Sequence, residues 1–347
     1  YQLNIVTLMK TFSSKLFFMS KKRKERCPQC GFLEVIRWGK QAGRQRFKCK
    51  NCNSSFTLRR KDISKSNRFV WFKWWITGKQ TLKQISELSG YSTRQLSRWF
   101  DEYLDDYPTW KIKCGNKVNL LIDGTWFSNK ICLVVYRDDI VHKTVFYRIS
   151  NDEVEKEIEE DLRNIQSLNI DINSVTCDGS QSILKAVKTV CPNVKIQRCL
   201  VHIQRECMTW LTQHPKSEAG MDLYNIVKLI NRIATRNDML KWKQMLSDWH
   251  SVYVSYINTK TTNNESNKEW YTHKMLRKAY IHIRRALPYM FTFIDNPDIP
   301  RSTNALESFF GHLKDNIIIH RGLSNKHHQN YLKWYLYFKN EDRKKDR

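Results

Sequence analysis

An alternation of short apolar runs and helical periods between residues 118 and 197 constrains the fold of this chain more than any other feature. Three apolar runs with short connections predict an antiparallel meander. A helical period, a fourth run, a second helical period and a fifth run follow it. The runs lie at 118–123, 131–136, 144–149, 173–177 and 194–197. This is the element order of an RNase H-like fold, so the sequence predicts an α/β domain of that kind.

Two aspartates stand at the ends of matching runs. Asp123 and Asp178 each close an apolar run and each precede a glycine. The predicted fold makes the two strands neighbours, so their carboxylates are expected to converge. An Asp-Gly pair is also an ordinary turn signal, and a turn explains either aspartate alone equally well. The matching pair, taken with a third carboxylate, predicts a metal site.

The third carboxylate is Glu307, near the start of a predicted helix. Ser302, Thr303 and Asn304 are helix-capping residue types, and Glu307 falls in the first turn, near the positive end of the helix dipole. The stripe predicted to be buried is Leu306, Phe309, Phe310 and Leu313. Alone, Glu307 is interpreted as a helix-start carboxylate without a catalytic role. With the two aspartates it becomes a candidate metal ligand.

The charge balance predicts a polyanionic partner. The chain has 60 Lys and Arg against 34 Asp and Glu, a net charge of +26. Nucleic acid is the default partner for such an excess, with a membrane surface as the rival. No run of 18 apolar residues is present, so no membrane span is expected. The ten cysteines are spaced for metal, which favours a reducing compartment. We therefore expect a cytoplasmic, nucleoid-associated protein.

Two Cys-x-x-Cys pairs form the strongest local motif. They consist of Cys27, Cys30, Cys49 and Cys52. The pairs supply four thiolates, and the gap between them suits a hairpin, so the motif predicts one structural zinc ion in a zinc ribbon. The alternative is four unrelated core cysteines. The candidate DNA contacts on this module are Arg44, Arg46 and Lys48.

The stretch 66–110 predicts a helix-turn-helix. Leu82, Ile85 and Leu88 are expected to face inward, Gly90 allows a sharp turn, and Ser92 suits the N-cap of the second helix. The second helix is expected to present Thr93, Arg94, Gln95, Ser97 and Arg98 to DNA. The alternative is a three-helix packing unit that binds no DNA.

Residues 203–300 predict an all-helical insertion, in which Lys and Arg between aromatic residues give a weak signal for a DNA backbone. Just before it, Cys199 and His202 are three residues apart. One interpretation is a pair of zinc ligands that lacks its other ligands. The preferred interpretation is that His202 is a hydrogen-bonded histidine near the active site, with Cys199 beside it.

Four motifs together resemble those of Mutator-like DDE transposases of bacterial insertion sequences, in the variant with an N-terminal zinc ribbon and helix-turn-helix. They are Ile122-Asp123-Gly124-Thr125, Cys177-Asp178-Gly179-Ser180, Cys199-Leu200-Val201-His202 and Arg301-Ser302-Thr303-Asn304-Ala305-Leu306-Glu307. The resemblance covers roughly residues 25–340. It departs from many relatives at Thr125-Trp126-Phe127.

The resemblance implies that Asp123, Asp178 and Glu307 are the catalytic triad, holding two Mg²⁺ (or Mn²⁺) ions. Cys199 and His202, with Arg301 and Asn304, would be accessory residues. The implied function is binding of the element's terminal inverted repeats, followed by Mg-dependent strand cleavage and strand transfer. The implied partners are double-stranded DNA at the element ends and target, and a second copy in a homodimer or higher synaptic oligomer. The alternatives are a catalytically dead, transposase-derived zinc-ribbon regulator and a nuclease that cuts without joining.

The predicted organisation is therefore multidomain α/β. It comprises a basic tail of uncertain start (1–24), a zinc ribbon (25–62), a helix-turn-helix domain (66–110), the first part of an RNase H-like catalytic core (117–202), a helical insertion (203–300) and C-terminal catalytic helices carrying Glu307 (301–340). The DNA-binding and catalytic domains are expected to fold independently, so removal of 1–106 should leave the catalytic domain folded.

Overall fold

A computed structural model describes most of the chain. It covers residues 27, 29–30, 33–41, 43–57, 61–109, 117–263 and 266–341. The chain divides into two compact units, with the boundary between Val70 and Trp71. The two units are described separately.

The first unit is built on a small antiparallel sheet in the order β1-β2-β3. Its strands are β1 (Val35–Gln41), β2 (Arg44–Cys49) and β3 (Ser55–Thr57). Gly43 adopts a φ of 74°, the left-handed conformation that a tight hairpin turn requires. Phe47 stacks on Phe56 with ring centroids 6.0 Å apart. The hairpin predicted between the two cysteine pairs is therefore present.

Three helices precede the main sheet: α1 (Lys61–Thr77), α2 (Leu82–Ser89) and α3 (Thr93–Leu104). Thr81 and Gln84 form a reciprocal capping box at the start of α2. Gly90 ends α2 with a φ of 73°, and the Ser92 hydroxyl accepts the Gln95 N–H at the start of α3. The predicted turn and cap are thus confirmed. Leu88 was predicted to face inward but is 46% exposed.

The second unit is organised around a five-stranded mixed sheet in the order β6-β5-β4-β7-β8. The strands are β4 (Lys117–Phe127), β5 (Ile131–Asp138), β6 (Lys143–Ser150), β7 (Asp171–Cys177) and β8 (Lys195–Arg198). The pairs β4–β5 and β5–β6 are antiparallel, whereas β4–β7 and β7–β8 are parallel. The predicted meander and the two later strands are therefore present.

Strand β4 is longer than predicted. It was expected to end at Asp123 but continues to Phe127, because β5 runs beside it as far as the Phe127–Ile131 pair and satisfies its backbone groups. The parallel pairing of β4 with β7 does stop here, at the pair Ile122–Cys177. Asp123 therefore stands where β7 leaves the sheet, although its own strand goes on.

Helices α4 (Glu155–Ser167) and α5 (Gln181–Val190) pack on the sheet and on each other. Their buried residues, including Ile158, Leu162 and Ile183, share one core with the sheet. One buried charge is satisfied within this region, since Asp161 accepts hydrogen bonds from Tyr136 and Arg148.

The insertion was predicted to be all helical, and this is wrong. Its helices are α6 (Leu200–Leu211), α7 (Glu218–Lys228), α8 (Arg236–Ile257), α9 (Lys274–Ala286) and the short α10 (Thr292–Asp295). Between α8 and α9 lies an antiparallel hairpin of β9 (Lys260–Asn263) and β10 (Lys268–Tyr271). Threonines and aromatic residues occupy these strands, and both types favour extended backbone.

The chain ends in two long helices, α11 (Asn304–Ile317) and α12 (Asn325–Glu341). Helix α12 packs against the early helices. The Tyr331 hydroxyl donates to the Ile76 carbonyl at 2.8 Å, and the Trp334 indole donates to the Tyr103 carbonyl at 3.0 Å. Within the part of the chain that the structure describes, no helix has the length and apolar character needed to cross a membrane.

Candidate active site

Asp123 and Asp178 lie at the same edge of the main sheet. Asp123 accepts the Gly124 N–H at 2.9 Å, and Asp178 accepts the Ser180 N–H at 2.8 Å. Asp123 is only 9% exposed. Its burial raises the pKa of the Asp123 carboxyl to about 7, the charge of Asp178 adds to the rise, and His202 opposes it. The Asp123 and Asp178 carboxylates repel each other, and Asp123 is shielded from water. A cation bound between them would relieve this repulsion.

A fourth carboxylate, Glu153, stands beside the two aspartates and was missed from the sequence. Glu153 Oε1 accepts a hydrogen bond from the Ser180 hydroxyl. Glu153 Oε2 lies close to Gly124, because a Cβ added to that glycine would be only 2.8 Å from it. Burial raises the pKa of Glu153, and the charge of Asp178 raises it further. Several acids surround Glu153 in the sequence, so its pattern carries no signal that distinguishes it. Glu153 is distinguished only in the folded chain, where the segment after β6 approaches the loop after β7.

Glu307 lies in the first turn of α11, as predicted, and two basic side chains hold it. His202 Nε2 is 3.4 Å from Glu307 Oε1, and an Arg205 nitrogen is 3.1 Å from Oε2. The predicted side-chain cap of this helix is absent. The Thr303 hydroxyl lies 3.4 Å from His202 Nδ1 instead, while the Thr303 carbonyl accepts the Leu306 and Glu307 N–H groups.

His202 connects the parts of the site. Hydrogen bonding to Cys199 raises the pKa of His202 to about 9 against the effect of burial, and the negative charges of Glu307 and Asp123 act in the same direction. Cys199 is fully buried and accepts the Thr303 N–H at 3.3 Å. Burial alone would raise the pKa of the Cys199 thiol, but the hydrogen bonds from His202 and Thr303 lower it. These interactions favour the charged form of His202, and that charge acts on both Asp123 and Glu307.

Two groups of side chains in the described part of the chain are close enough to share a metal ion. One is the four cysteines, and the other is Cys199, His202 and Glu307, whose ligand atoms lie within 4.8 Å of one another. The interpretation that Cys199 and His202 lack a metal-binding partner is therefore corrected. Glu307 lies close enough to be a third ligand of the same ion. Neither group contains Asp123 or Asp178, so the geometry places Glu307 with Cys199 and His202 and not with the aspartates.

The four cysteines form a cluster that could hold a zinc ion. The Sγ atoms of Cys27 and Cys52 are 3.6 Å apart, as are those of Cys30 and Cys49. Sulfurs bound to zinc in a tetrahedron lie about 3.8 Å apart, so the spacing fits the ion. The Ser54 hydroxyl is the main cause that lowers the pKa of the Cys27 thiol to about 6.

The predicted DNA contacts on α3 form an open surface. Thr93, Arg94 and Arg98 are exposed, while Gln95 and Ser97 are half-buried. The same face carries acids further along the helix, since Asp101, Glu102 and Asp105 line a surface depression with the two arginines. The surface is therefore basic at the start of α3 and acidic at its end.

The remaining predicted residues are dispersed. In the cysteine-rich module, Arg46 donates to Ser55 and the Lys48 ammonium lies over the Trp38 ring. Arg44 lies in β2, and its side chain is outside the described part. Arg301 and Asn304 are exposed, and the Arg301 carbonyl accepts the Leu200 N–H at 3.1 Å. The structure thus brings together the accessory pair and Glu307 but leaves the Arg301 and Asn304 side chains at the surface.

The fold and its edge of carboxylates define a mixed α/β protein with a site suited to metal-dependent chemistry. Residues 143–265 match the model of the family described as transposase, Mutator family. This segment is therefore similar to Mutator-family transposases, in agreement with the resemblance drawn from the motifs. The matched segment contains Asp178, Cys199 and His202 and ends before Glu307. No curated protein matches the chain.

Proposed function

We propose that the protein is the DDE transposase of an insertion sequence, which binds the element's terminal inverted repeats and cleaves and joins DNA strands. The observation that carries this proposal is the position of Asp123 and Asp178 at the edge where β4 and β7 part, where the charge of Asp178 acts on Asp123. His202 contacts Glu307, and its charge also acts on Asp123. The family match supports the same reaction class.

The fold supports an RNase H-like assignment for the catalytic core. Three antiparallel strands at one side of the sheet and two parallel strands at the other give the order 3-2-1-4-5 when counted from β4. Helices α6–α10 then separate β8 from α11, as an insertion in that fold would. We accordingly propose the predicted boundaries for the catalytic core and the insertion, with the hairpin added to the insertion.

The carboxylate donors of this site suit two Mg²⁺ or Mn²⁺ ions. Asp123, Asp178 and Glu307 would hold them with Glu153 beside them, because these hard cations prefer carboxylate oxygens. Ions held there would supply Lewis-acid activation of a water or DNA 3′-OH and stabilisation of the leaving oxygen. The protein's own side chains position the carboxylates and limit their contact with water. His202 and Arg205 orient Glu307, and the sheet keeps Asp123 away from bulk water.

Recognition of the element ends would fall to the N-terminal modules. The four-cysteine cluster would hold one structural zinc ion, and α3 would present its exposed N-terminal half to DNA. The net charge of +26 supports a polyanionic partner. A homodimer or higher synaptic oligomer on two DNA ends belongs to the same proposal.

The test is cleavage of labelled DNA carrying the gene's own flanking ends, with and without Mg²⁺. Wild type should nick at the element boundary, and Glu307→Gln, Asp123→Asn and Asp178→Asn should each abolish nicking because each loses one carboxylate. Asp315→Asn is the matched control, since this exposed acid lies on the same helix as Glu307 and forms an ion pair with Lys79. Specific binding by wild type without cleavage would instead support the regulator.

A further inference from the structure

A basic cleft of about 340 Å³ opens beside Gly179, one residue beyond Asp178. Arg198 at the end of β8 lines one side, and one face of α9 forms the other. The α9 residues recur at helical spacing and are Lys274, Arg277, Lys278, Ile281, His282 and Arg285. Among the described residues, no aspartate or glutamate lines the cleft. We call this the α9 cleft.

Arg198 is built into the cleft and is not a freely moving surface cation. It is 6% exposed, and its Nη2 donates to the Asp178 carbonyl at 2.6 Å. A Cβ on Gly179 would come within 1.9 Å of Arg198 Nε, so the guanidinium lies directly against the glycine. In the described part of the chain, the buried Nε has no hydrogen-bond partner. A buried donor without an acceptor is costly, and a bound anion would satisfy it.

The charges of the α9 cleft are not neutralised by the protein. In the part of the chain that the structure describes, none of its Lys and Arg residues forms an ion pair with a carboxylate. Two cations lie over aromatic rings instead. Arg277 is 3.8 Å from the Tyr271 ring centroid, and Lys278 is 4.2 Å from that of Trp210. Such contacts fix a cation in place while leaving its charge available.

The pKa of His282 also reflects the positive charge of the α9 cleft. Burial lowers its pKa to about 4, and the charges of Arg198, Lys278 and Arg285 lower it further. Its Nε2 lies 3.2 Å from the Glu206 carboxylate, which flanks the cleft without lining it.

We propose that the α9 cleft binds the sugar–phosphate backbone of the DNA strand adjacent to the cleavage site. The cleft starts one residue from a predicted catalytic carboxylate, so a strand crossing that carboxylate continues into it. Guanidinium groups suit phosphate oxygens through paired N–H donors. The proposal rests on the proposed transposase function for the identity of the strand, but the phosphate contact itself rests on the cleft.

The test is binding of a short fluorescent single-stranded DNA by the full-length protein in buffer without Mg²⁺ or Mn²⁺, with salt as the variable. Lys274→Gln and Arg285→Gln alter exposed cleft cations. Each variant should lower the slope of log affinity against log salt by about 0.7, the value for one lost phosphate contact on a single strand. Arg284→Gln is the matched control, since Arg284 is exposed on α9 but does not line the cleft. It should leave the slope unchanged.

Charge-retaining Lys274→Arg and Arg285→Lys separate the loss of charge from any change in folding, and both should keep the wild-type slope. Equal slopes for wild type, Lys274→Gln and Arg285→Gln would overturn the proposal, as would an equal fall for Arg284→Gln. Binding without Mg²⁺ or Mn²⁺ involves no cleavage, so the two proposals fail separately. A lowered slope in a protein that never nicks DNA would retain the cleft and remove the transposase activity.

Discussion

Gly179 joins the predicted catalytic edge to the α9 cleft, and a single methyl group tests that link. Its φ of 91° is unfavourable for any residue with a Cβ, and the added carbon would collide with Arg198. We expect Gly179→Ala to destabilise the protein by about 1–3 kcal/mol and to displace Arg198. Chemical denaturation measures the change. Gly311→Ala is the control, because Gly311 lies within helix α11 with open space around it. This substitution should stabilise the protein by about 0.5–1 kcal/mol. An unchanged stability of Gly179→Ala would contradict the collision.

Individual residues were predictable where local pattern determines their position. Asp123 and Asp178 were placed at one edge because each closes an apolar run, and the structure pairs β4 with β7 up to that point. Glu153, Arg198 and Arg205 could not be selected, because their neighbours come from distant segments. The Thr303 hydroxyl was assigned to a cap because such residues usually serve there. The half-buried His202 nearby offered it another partner.

At the scale of elements, His320 makes the packing of the C-terminal helices sensitive to pH. This buried ring lies 4.3 Å from that of Trp75, and its Nε2 is 3.1 Å from the Trp75 carbonyl. Burial lowers the pKa of His320 to about 4, with that hydrogen bond opposing the shift. Its folded pKa lies below the ordinary value, so its contribution to stability is complete above pH about 6.5 and is lost as pH falls toward 4.

We expect His320→Gln to lose less stability than wild type between pH about 7.5 and about 5, by roughly 1–2 kcal/mol. The measurement is the free energy of unfolding at both pH values. The exposed His214 provides the comparison, since His214→Gln should keep the wild-type pH dependence. Parallel curves for wild type and His320→Gln would show that His320 does not titrate on unfolding. His282 and His328 have lowered pKa values for the same reason and add to the wild-type loss.

Most elements were predictable because their periods are regular, and the exceptions have physical causes. Strand β4 was shortened in prediction since Gly124 resembles a turn, whereas its partner β5 keeps it extended. The hairpin β9–β10 was not predicted because its strands are short and polar. Cross-strand contacts support it, including the Lys260–Glu269 ion pair and the hydrogen bond between Thr261 and Thr272.

At the scale of the whole molecule, the contacts argue against independent folding of the early helices and the catalytic core. Residues 71–104 and helix α12 share one aromatic cluster, in which Phe72 contacts both Trp334 and Phe338. Hydrogen bonds across this cluster join residues 226 to 255 positions apart. Such separations carry no local sequence signal, which is why the early helices were predicted as a separate domain.

Truncation tests this arrangement. Removing residues 1–106 should expose the aromatic side of α12 and give an aggregating or partly unfolded chain, because buried side chains such as Phe72, Trp75 and Phe100 are lost. Removing residues 1–60 keeps the whole second unit and should give a cooperatively unfolding protein without the four-cysteine module. Thermal unfolding and size-exclusion chromatography compare the two. A monodisperse, cooperatively unfolding chain lacking 1–106 would restore the independent-domain prediction.

The late position of α11 and α12 also governs when the molecule becomes competent during its own synthesis. The ribosome completes the sheet and the early helices long before it reaches Glu307 and the aromatic residues of α12. A nascent or prematurely terminated chain therefore lacks both the third carboxylate and the support for the helices at 71–104. We expect such fragments to be cleared by proteolysis.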